Sequence, residues 1–168
     1  MARAGIALGS NLGDRLSFLK AALVGLCEIA TPGEPVLVAA VYQTEPRFCP
    51  PGSPVFLNTV VEIDFLGNAD WLLAKTQALE AKLGRAALAE RNAPRVIDID
   101  LLYFGEGSCD HSDLVLPHPR LTERRFVLQP LTDIRPDLLL PGQFLRVAQL
   151  LENLQSDEPP LVRIQDGL

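Results

Sequence analysis

The chain has 168 residues, of which 48% are hydrophobic and 21% charged, so one globular domain with its own core is expected and a disordered chain is excluded. The net charge of -6 argues against nucleic acid as the main partner, because phosphate backbones require a basic surface. No apolar run approaches the length that spans a membrane.

The cysteines and the amino-terminal residues favour a cytoplasmic location. Cys27, Cys49 and Cys109 stand far apart, which indicates reduced thiols rather than a disulfide framework or a CxxC metal site. Residues 4–8 form a poor signal peptide and a good first strand. We expect a cytoplasmic monomer whose partners are small molecules.

The first half of the chain predicts the order strand, helix, strand, strand. Asp14 is a candidate N-cap for a helix of about four turns that ends before Pro32. Residues 36–42 favour a second strand, and residues 56–65 alternate with period two and predict a third. One face of that third strand carries Leu57, Thr59, Val61, Ile63 and Phe65.

The second half adds a helix and a strand before an extension rich in proline. Asp70 is a candidate cap for a helix closed by Gly84, and residues 96–104 predict a strand. In the extension, the clearest element is a helix over about residues 145–154.

The order strand, helix, strand, strand, helix, strand predicts an α+β, ferredoxin-like fold: an antiparallel sheet with both helices on one face and a C-terminal extension. The opposite face, or an end of the sheet, is then left for a ligand. We expect one domain over residues 1–168, with the segment from about residue 155 peripheral.

Two aspartates two positions apart are the most informative polar pair. On a strand, Asp98 and Asp100 project to the same side, while Ile97, Ile99 and Leu101 fill the core. Two neighbouring carboxylates repel each other and favour a cation between them, and Mg²⁺ suits such oxygen ligands. For an isolated pair, the alternative that one carboxylate caps or forms a salt bridge while the other is solvated stays open.

A polyphosphate would have to be bound by arginine, because the sequence has no glycine-rich phosphate loop followed by lysine. Arg95 lies three residues before Asp98 and can reach the same phosphates. Arg85, Arg91, Arg124 and Arg125 are also available, although each, taken singly, also fits an ordinary surface charge.

Other polar positions have both functional and structural interpretations. Gln77 and Glu80 can share one helix face, or simply be solvated. Asn58 can recognise the edge of a heterocycle or bond to backbone, and Phe56 can stack on a ring or pack in the core. His118, between two prolines, can donate to phosphate. The sequence shows no arrangement typical of a nucleophilic side chain, and none is needed if a substrate hydroxyl attacks.

Four motifs in order resemble the 6-hydroxymethyl-7,8-dihydropterin pyrophosphokinases of folate biosynthesis, over about the first 140 residues. The motifs are ALGSNL at 7–12, YQTEP at 42–46 with FLN at 56–58, the PRxxDxD signature within 91–102, and PHPRL at 117–121 with RRFVL at 124–128.

The resemblance implies transfer of the two terminal phosphates of ATP to the pterin hydroxymethyl group, with release of AMP. It implies that Asp98 and Asp100 hold two Mg²⁺ ions and that Arg85 and Arg95 stabilise charge on the transferred group. The implied nucleotide contacts are Gln77, Glu80, Arg95, His118 and Arg124. The implied pterin contacts are Thr44, Pro46, Phe56, Asn58 and Phe126, with the two phenylalanines sandwiching the ring.

The chain departs from the family pattern in its loops. Asn92 and Ala93 stand where the family usually has Trp-Gly, and Ala87 stands where some members carry a second arginine. The loop 47–51 lacks the glycine usual after Thr-x-Pro. These changes concern loop closure more than reaction type.

Two other functions remain open at this stage. A non-catalytic pterin- or nucleotide-binding module could use the same fold. A different metal-dependent phosphotransfer enzyme, such as a nucleotide cyclase, would explain the two aspartates but not Asn58, Phe56 or the segment around His118.

Overall fold

The computed structural model describes residues 1–46, 51–84, 95–156 and 158–168. The strands are β1 (Ala2–Ser10), β2 (Leu37–Val38), β3 (Val41–Thr44), β4 (Phe56–Phe65), β5 (Asp98–Phe104), β6 (Cys109–His111), β7 (Leu114–Leu116) and β8 (Val162–Gln165). The helices are α1 (Arg15–Ile29), α2 (Ala69–Lys82), α3 (Arg125–Ile134) and α4 (Val147–Glu152), with a short 3₁₀ helix at Leu121–Glu123. Within these ranges, none of the helices combines the length and apolar character needed to cross a membrane.

β1 is an inner strand of a six-stranded sheet with the order β5-β1-β4-β3-β8, and β2 also pairs with β4. β1 runs antiparallel to β4 on one side and to β5 on the other. The pairings of β3 with β4 and with β8 are antiparallel as well. The predicted combination of an antiparallel sheet with packed helices is therefore confirmed.

The first core lies between the sheet and the helices α1 and α2. Ile6 and Leu8 of β1 pack in one cluster with Leu19 of α1 and Leu72 of α2, and all four side chains are buried. Ile97, Ile99 and Leu101 belong to the same cluster, as predicted. Both predicted helices thus cover one face of the sheet.

The helix ends confirm one predicted cap and correct another. The side chain of Asp14 accepts a hydrogen bond from the Ser17 N–H at 3.1 Å, so it caps α1 as predicted. The predicted cap of α2 at Asp70 is wrong: Asn68 accepts from the Trp71 N–H at 2.8 Å, and Asp70 lies in the first turn. Gly84 follows α2 at φ 97°, the left-handed conformation expected there.

The second predicted strand is broken in two. β2 and β3 are separated by Ala39 and Ala40, which are buried. The Ala39 N–H donates to the Val60 carbonyl at 2.9 Å, and the Thr59 hydroxyl donates to the Ala39 carbonyl at 3.1 Å. At Ala39 the carbonyl thus accepts from a side chain, and the regular backbone pairing is interrupted between β2 and β3.

A second core covers part of the other sheet face. α3, which contains Pro130 and which the sequence did not predict, buries Val127, Leu128 and Leu131 against Val60 and Leu102 of the sheet. The helix predicted at about residues 145–154 is present as the shorter α4. Only the remainder of this face is open to a ligand.

A buried charged network ties α3 to the sheet beside this core. The Glu62 side chain is fully buried, accepts from Arg3 Nε at 2.9 Å and lies 3.4 Å from Arg135 Nε. The Tyr103 hydroxyl also donates to Glu62, and burial raises the pKa of Tyr103. The network joins β1, β4, β5 and α3.

Replacement of Gly5 should disturb that network. A Cβ at Gly5 would lie 2.1 Å from Cε1 of Tyr103, whose ring is buried and held by Glu62. We expect Gly5→Ala to lower the free energy of unfolding by about 1–3 kcal/mol, as overpacking does, measured by urea denaturation.

Gly107→Ala is the control, since its new Cβ meets its nearest neighbour at 3.8 Å. Equal stability of the two variants would contradict this account.

Candidate active site

A cavity of about 670 Å³ opens on the sheet face opposite α1 and α2. β1, β3, β4 and β5 contribute to it, together with the segment 118–126 and a segment near the carboxyl end. Its lining residues are Ala7, Leu8, Gly9, Gln43, Thr44, Glu45, Phe56, Asn58, Arg95, Asp98, Asp100, His118, Arg120, Glu123, Arg124, Phe126, Glu158, Pro159, Pro160, Leu161 and Val162.

Gly9 of β1 lies at the centre of the cavity floor. It is paired with Asn58 of β4 on one side and with Asp98 of β5 on the other. A Cβ at Gly9 would lie 2.9 Å from Asn58 Oδ1, so glycine leaves room for that amide, whereas Asp98 Cβ, at 4.0 Å, would be at ordinary contact distance. Because adjacent strands are about 4.8 Å apart, the backbones of Asn58 and Asp98 are roughly 10 Å apart.

The acidic side of the cavity is built by β5. Asp98 and Asp100 both line the cavity, while Ile99 between them is buried in the first core. The prediction that the two carboxylates share one side of the strand is therefore confirmed. Arg95 Nη1 donates to Asp98 Oδ2 at 3.0 Å, which brings the predicted cation to the same place.

Glu80 of α2 bonds to the backbone of β5 from the sheet face opposite the cavity. This side chain is 8% exposed, and its Oε1 accepts from the Ile99 N–H at 2.7 Å. The bond fixes the backbone between the two aspartates. Neither Gln77 nor Glu80 lines the cavity, and the two do not share one environment, because Gln77 is exposed whereas Glu80 is buried.

The turn after β1 fixes the start of the segment that leads into β5. Asn11 is fully buried; its Oδ1 accepts from the Arg95 N–H at 2.8 Å, and its own N–H donates to the Arg95 carbonyl at 3.2 Å. Its Nδ2 donates to the Pro54 carbonyl at 3.3 Å. The buried side chain of Asn11 thus positions both Arg95 and Pro54, which lies just before β4.

His118 and Arg124 form the basic side. The His118 N–H donates to the Leu102 carbonyl at 2.7 Å, which places the ring beside β5. Nδ1 of His118 accepts from the Arg120 N–H at 3.1 Å, so the neutral ring carries its proton on Nε2. Burial, followed by the charges of Arg124 and Arg120, lowers the pKa of His118. Burial and then Arg120 also lower the pKa of Arg124.

The opposite side of the floor carries an amide and aromatic rings. Asn58 Nδ2 donates to Thr44 Oγ1 at 2.7 Å, which orients the amide across the β3–β4 pair. Phe56 and Phe126 both line the cavity, and the Arg124 guanidinium lies 5.5 Å from the centre of the Phe126 ring. Pro46 is half-buried and does not line it.

The structure gathers most of the predicted site residues and adds others. Arg85 and Arg91 lie outside the described residues. Gln43, Glu45 and Arg120 lie within the family motifs but were given no role, and neither Glu123 nor the segment Glu158–Val162 was singled out; all of them line the cavity. Arg120 could have been assigned to the site from the sequence, because it directly follows His118 and Pro119. The carboxyl-terminal segment was not, because its position depends on a pairing with distant β3.

Comparison with known proteins gives one consistent family. The family model described as 7,8-dihydro-6-hydroxymethylpterin-pyrophosphokinase (HPPK) matches residues 5–136. A 2-amino-4-hydroxy-6-hydroxymethyldihydropteridine pyrophosphokinase of Methylorubrum extorquens is 40% identical over 148 residues, which are 88% of this chain and 92% of that protein. The Bacillus subtilis protein of the same name is 40% identical over 129 residues, 77% and 75% of the two chains.

Longer proteins also match. The folic acid synthesis protein fol1 of Pneumocystis carinii is 35% identical over 150 residues, which are 89% of this chain but only 20% of that protein. A crystal structure of Plasmodium falciparum HPPK-DHPS A437G with pteroate superposes with a TM-score of 0.71 at 14% identity, covering 90% of this chain and 42% of that one. At 14% identity, the match with the Plasmodium falciparum structure shows a similarity of fold alone.

Loss of the Asn11 amide should destabilise the fold locally. In Asn11→Ala the buried Arg95 N–H loses its acceptor, and an unsatisfied buried donor costs about 1–3 kcal/mol. We expect a decrease of that size in the free energy of unfolding, measured by urea denaturation. Asn153→Ala, which removes an exposed asparagine, is the control. A smaller loss at Asn11 than at Asn153 would argue against the positioning role.

The lowered pKa of His118 should make stability depend on pH. Below the ordinary histidine pKa of 6.5, His118 binds a proton in the unfolded chain more readily than in the folded chain. The free energy of unfolding that neutral His118 contributes is therefore fully present above pH 6.5 and is lost as the pH falls below that value. Between about pH 7.5 and about pH 5.5, we expect the free energy of unfolding to fall more for the parent chain than for His118→Gln. Parallel curves for the two proteins would contradict the lowered pKa of half-buried His118.

Proposed function

The chain belongs to the 7,8-dihydro-6-hydroxymethylpterin-pyrophosphokinase family, and we propose that its cavity carries out the transfer of pyrophosphate from ATP to hydroxymethyl-dihydropterin in folate synthesis. The observation that supports this site is the register of β1. It puts a carboxylate pair and an amide with aromatic neighbours on opposite sides of Gly9, in one cavity.

The carboxylate pair fits Mg²⁺. Asp98 and Asp100 offer two hard oxygen donors on one side of β5, and no group of three or more acidic, histidine or cysteine side chains in the described ranges forms an all-protein metal cage. Mg²⁺ binds to proteins through one or two carboxylates and completes its shell with water and substrate phosphates. Bound there, it would neutralise phosphate charge and help orient the triphosphate. Two ions, as the family resemblance implies, are part of the proposal.

The triphosphate lies between the aspartates and the basic side. Arg95, Arg124 and His118 supply donors, and neutral His118 donates from Nε2 without needing protonation. In water-poor surroundings, such fixed donors stabilise charge that develops on the transferred group. Gln77, Glu80 and Arg85 remain proposed contributors on the nucleotide side; from its position, Glu80 acts through the backbone of Ile99.

The pterin lies over the amide side of the floor. Asn58, oriented by Thr44, faces the donor and acceptor groups at the edge of the heterocycle, while Phe56 and Phe126 contact its faces. Pro46, which follows β3 and lies outside the cavity lining, stays in the proposed set only because the family resemblance implies it. The acceptor hydroxyl then attacks the β-phosphorus of ATP, forming a new P–O bond as the bond to AMP breaks. The chain's contribution is to position both substrates.

Four further assignments belong to the same proposal. The strand order β5-β1-β4-β3, with α1 and α2 on one face, supports a ferredoxin-like topology that β8 extends at one edge. A single domain over residues 1–168 is consistent with the two cores sharing one sheet. The monomeric state and the cytoplasmic location stay predictions.

Removal of either aspartate should abolish turnover without unfolding the chain. With ATP, Mg²⁺ and hydroxymethyl-dihydropterin, we expect AMP formation by the parent chain and a loss of about a hundredfold or more in Asp98→Asn and Asp100→Asn, because metal stabilisation is worth several kcal/mol. Circular dichroism checks folding. Asp166→Asn, at an exposed carboxylate outside the cavity, is the control and should keep full activity.

Two outcomes would count against the proposal. A parent chain that binds both substrates but forms no AMP would indicate the non-catalytic module. Aspartate variants that keep their Mg²⁺ dependence and rate would remove the metal role from β5.

A further inference from the structure

The segment Glu158–Val162 forms one wall of the cavity and has no role in the site as described so far. All five of its residues line the cavity. The segment leads into β8, which pairs with β3 so that Val162 lies opposite Gln43 and Arg163 opposite Tyr42. We call this segment the C-terminal wall.

The pairing places the C-terminal wall on the pterin side of the cavity. Thr44 and Glu45 follow directly after the β3 residues that pair with β8, and both line the cavity. β5, which carries the aspartates, is separated from β8 by β1, β4 and β3. At about 4.8 Å per strand, the backbones of β5 and β8 are roughly 19 Å apart. The wall therefore borders the acceptor rather than the carboxylate pair.

The composition of the wall suits a flat ring and not a phosphate. Pro159, Pro160, Leu161 and Val162 offer apolar surface, and among them Leu161 is half-buried whereas the others are exposed. The prolines restrict the backbone ahead of β8. After β8, Leu168 packs against the first core, so the strand that carries the wall is anchored beyond its end. An anchored apolar surface beside a binding site limits the size of what fits there.

We propose that the C-terminal wall, through Leu161, determines which substituents the pterin ring can carry. This inference rests on the proposed function, because it assigns a specificity surface to the same acceptor site. An apolar contact of this kind discriminates by roughly 10- to 200-fold for each methylene group.

The test compares two acceptors in variants of opposite size. One acceptor is hydroxymethyl-dihydropterin, and the other carries additional methyl groups on the pterin ring. Relative to the parent chain, Leu161→Ala should raise the ratio of kcat/KM for the methylated over the natural acceptor by about tenfold, and Leu161→Phe should lower it. The KM for ATP should stay within about twofold, since the wall does not border the phosphates.

Ile164→Ala is the matched control. It removes the same kind of apolar side chain from β8 at a position outside the cavity lining, and it should leave the acceptor ratio unchanged. Circular dichroism melting verifies that each variant folds. If Leu161→Phe does not fold, Val162→Ala replaces it, with the same expected rise in ratio as Leu161→Ala.

The failure of this inference can be told apart from the failure of the proposed function. An unchanged acceptor ratio in the Leu161 variants, or an equal change in the KM for ATP, overturns the wall's role while AMP formation continues. If the parent chain forms no AMP, the same ratio is measured as dissociation constants of the two pterins by fluorescence titration. A shift of that ratio at Leu161 but not at Ile164 supports the wall, and its absence overturns it.

Discussion

The double pairing of β1 is the constraint on which the site depends. Ile6 and Leu8 face the first core, so Ala7 and Gly9 must face the cavity. A slip by one residue in either ladder would turn the polar side chains of the neighbouring strand into the apolar core, at a cost of several kcal/mol. Core packing on one face therefore enforces the register on the other, and Gly9 keeps the space between the two substrate sides open.

The other half of that sheet face is occupied by the buried network around Glu62. A fully buried carboxylate is costly alone, but Arg3, Arg135 and the Tyr103 hydroxyl contact it together. Because burial raises the pKa of Tyr103, the hydroxyl keeps its proton and remains a donor. The network links the end of α3 to the sheet, and the start of α3 carries Phe126. The charged cluster thus helps hold Phe126 at the cavity, on one face of the proposed pterin site.

Local patterns predicted the parts of the structure that local physics decides. The alternation over 56–65 gives β4 with the same bounds, and Asp14 caps α1 because its oxygen reaches an N–H three residues ahead. α3 was missed because Pro130 breaks the hydrogen-bond pattern, although Val127 and Leu131 have helical spacing and tertiary packing outweighs the proline. For α2, the sequence favoured Asp70, but the extended backbone at Asn68 lets the Asn68 side chain accept from the Trp71 N–H instead.

The two halves of the proposed reaction differ in how the sequence encodes them. The metal-binding half depends on side chains only a few positions apart, so strand periodicity alone places Asp98 and Asp100 together and Arg95 beside them. The acceptor half draws on β3, β4, the start of α3 and the C-terminal wall, which meet only through long-range pairing such as that of Gln43 with Val162. A short motif can therefore identify the phosphate chemistry. The shape that we propose selects the acceptor arises only when the whole sheet, including its last edge strand, is assembled.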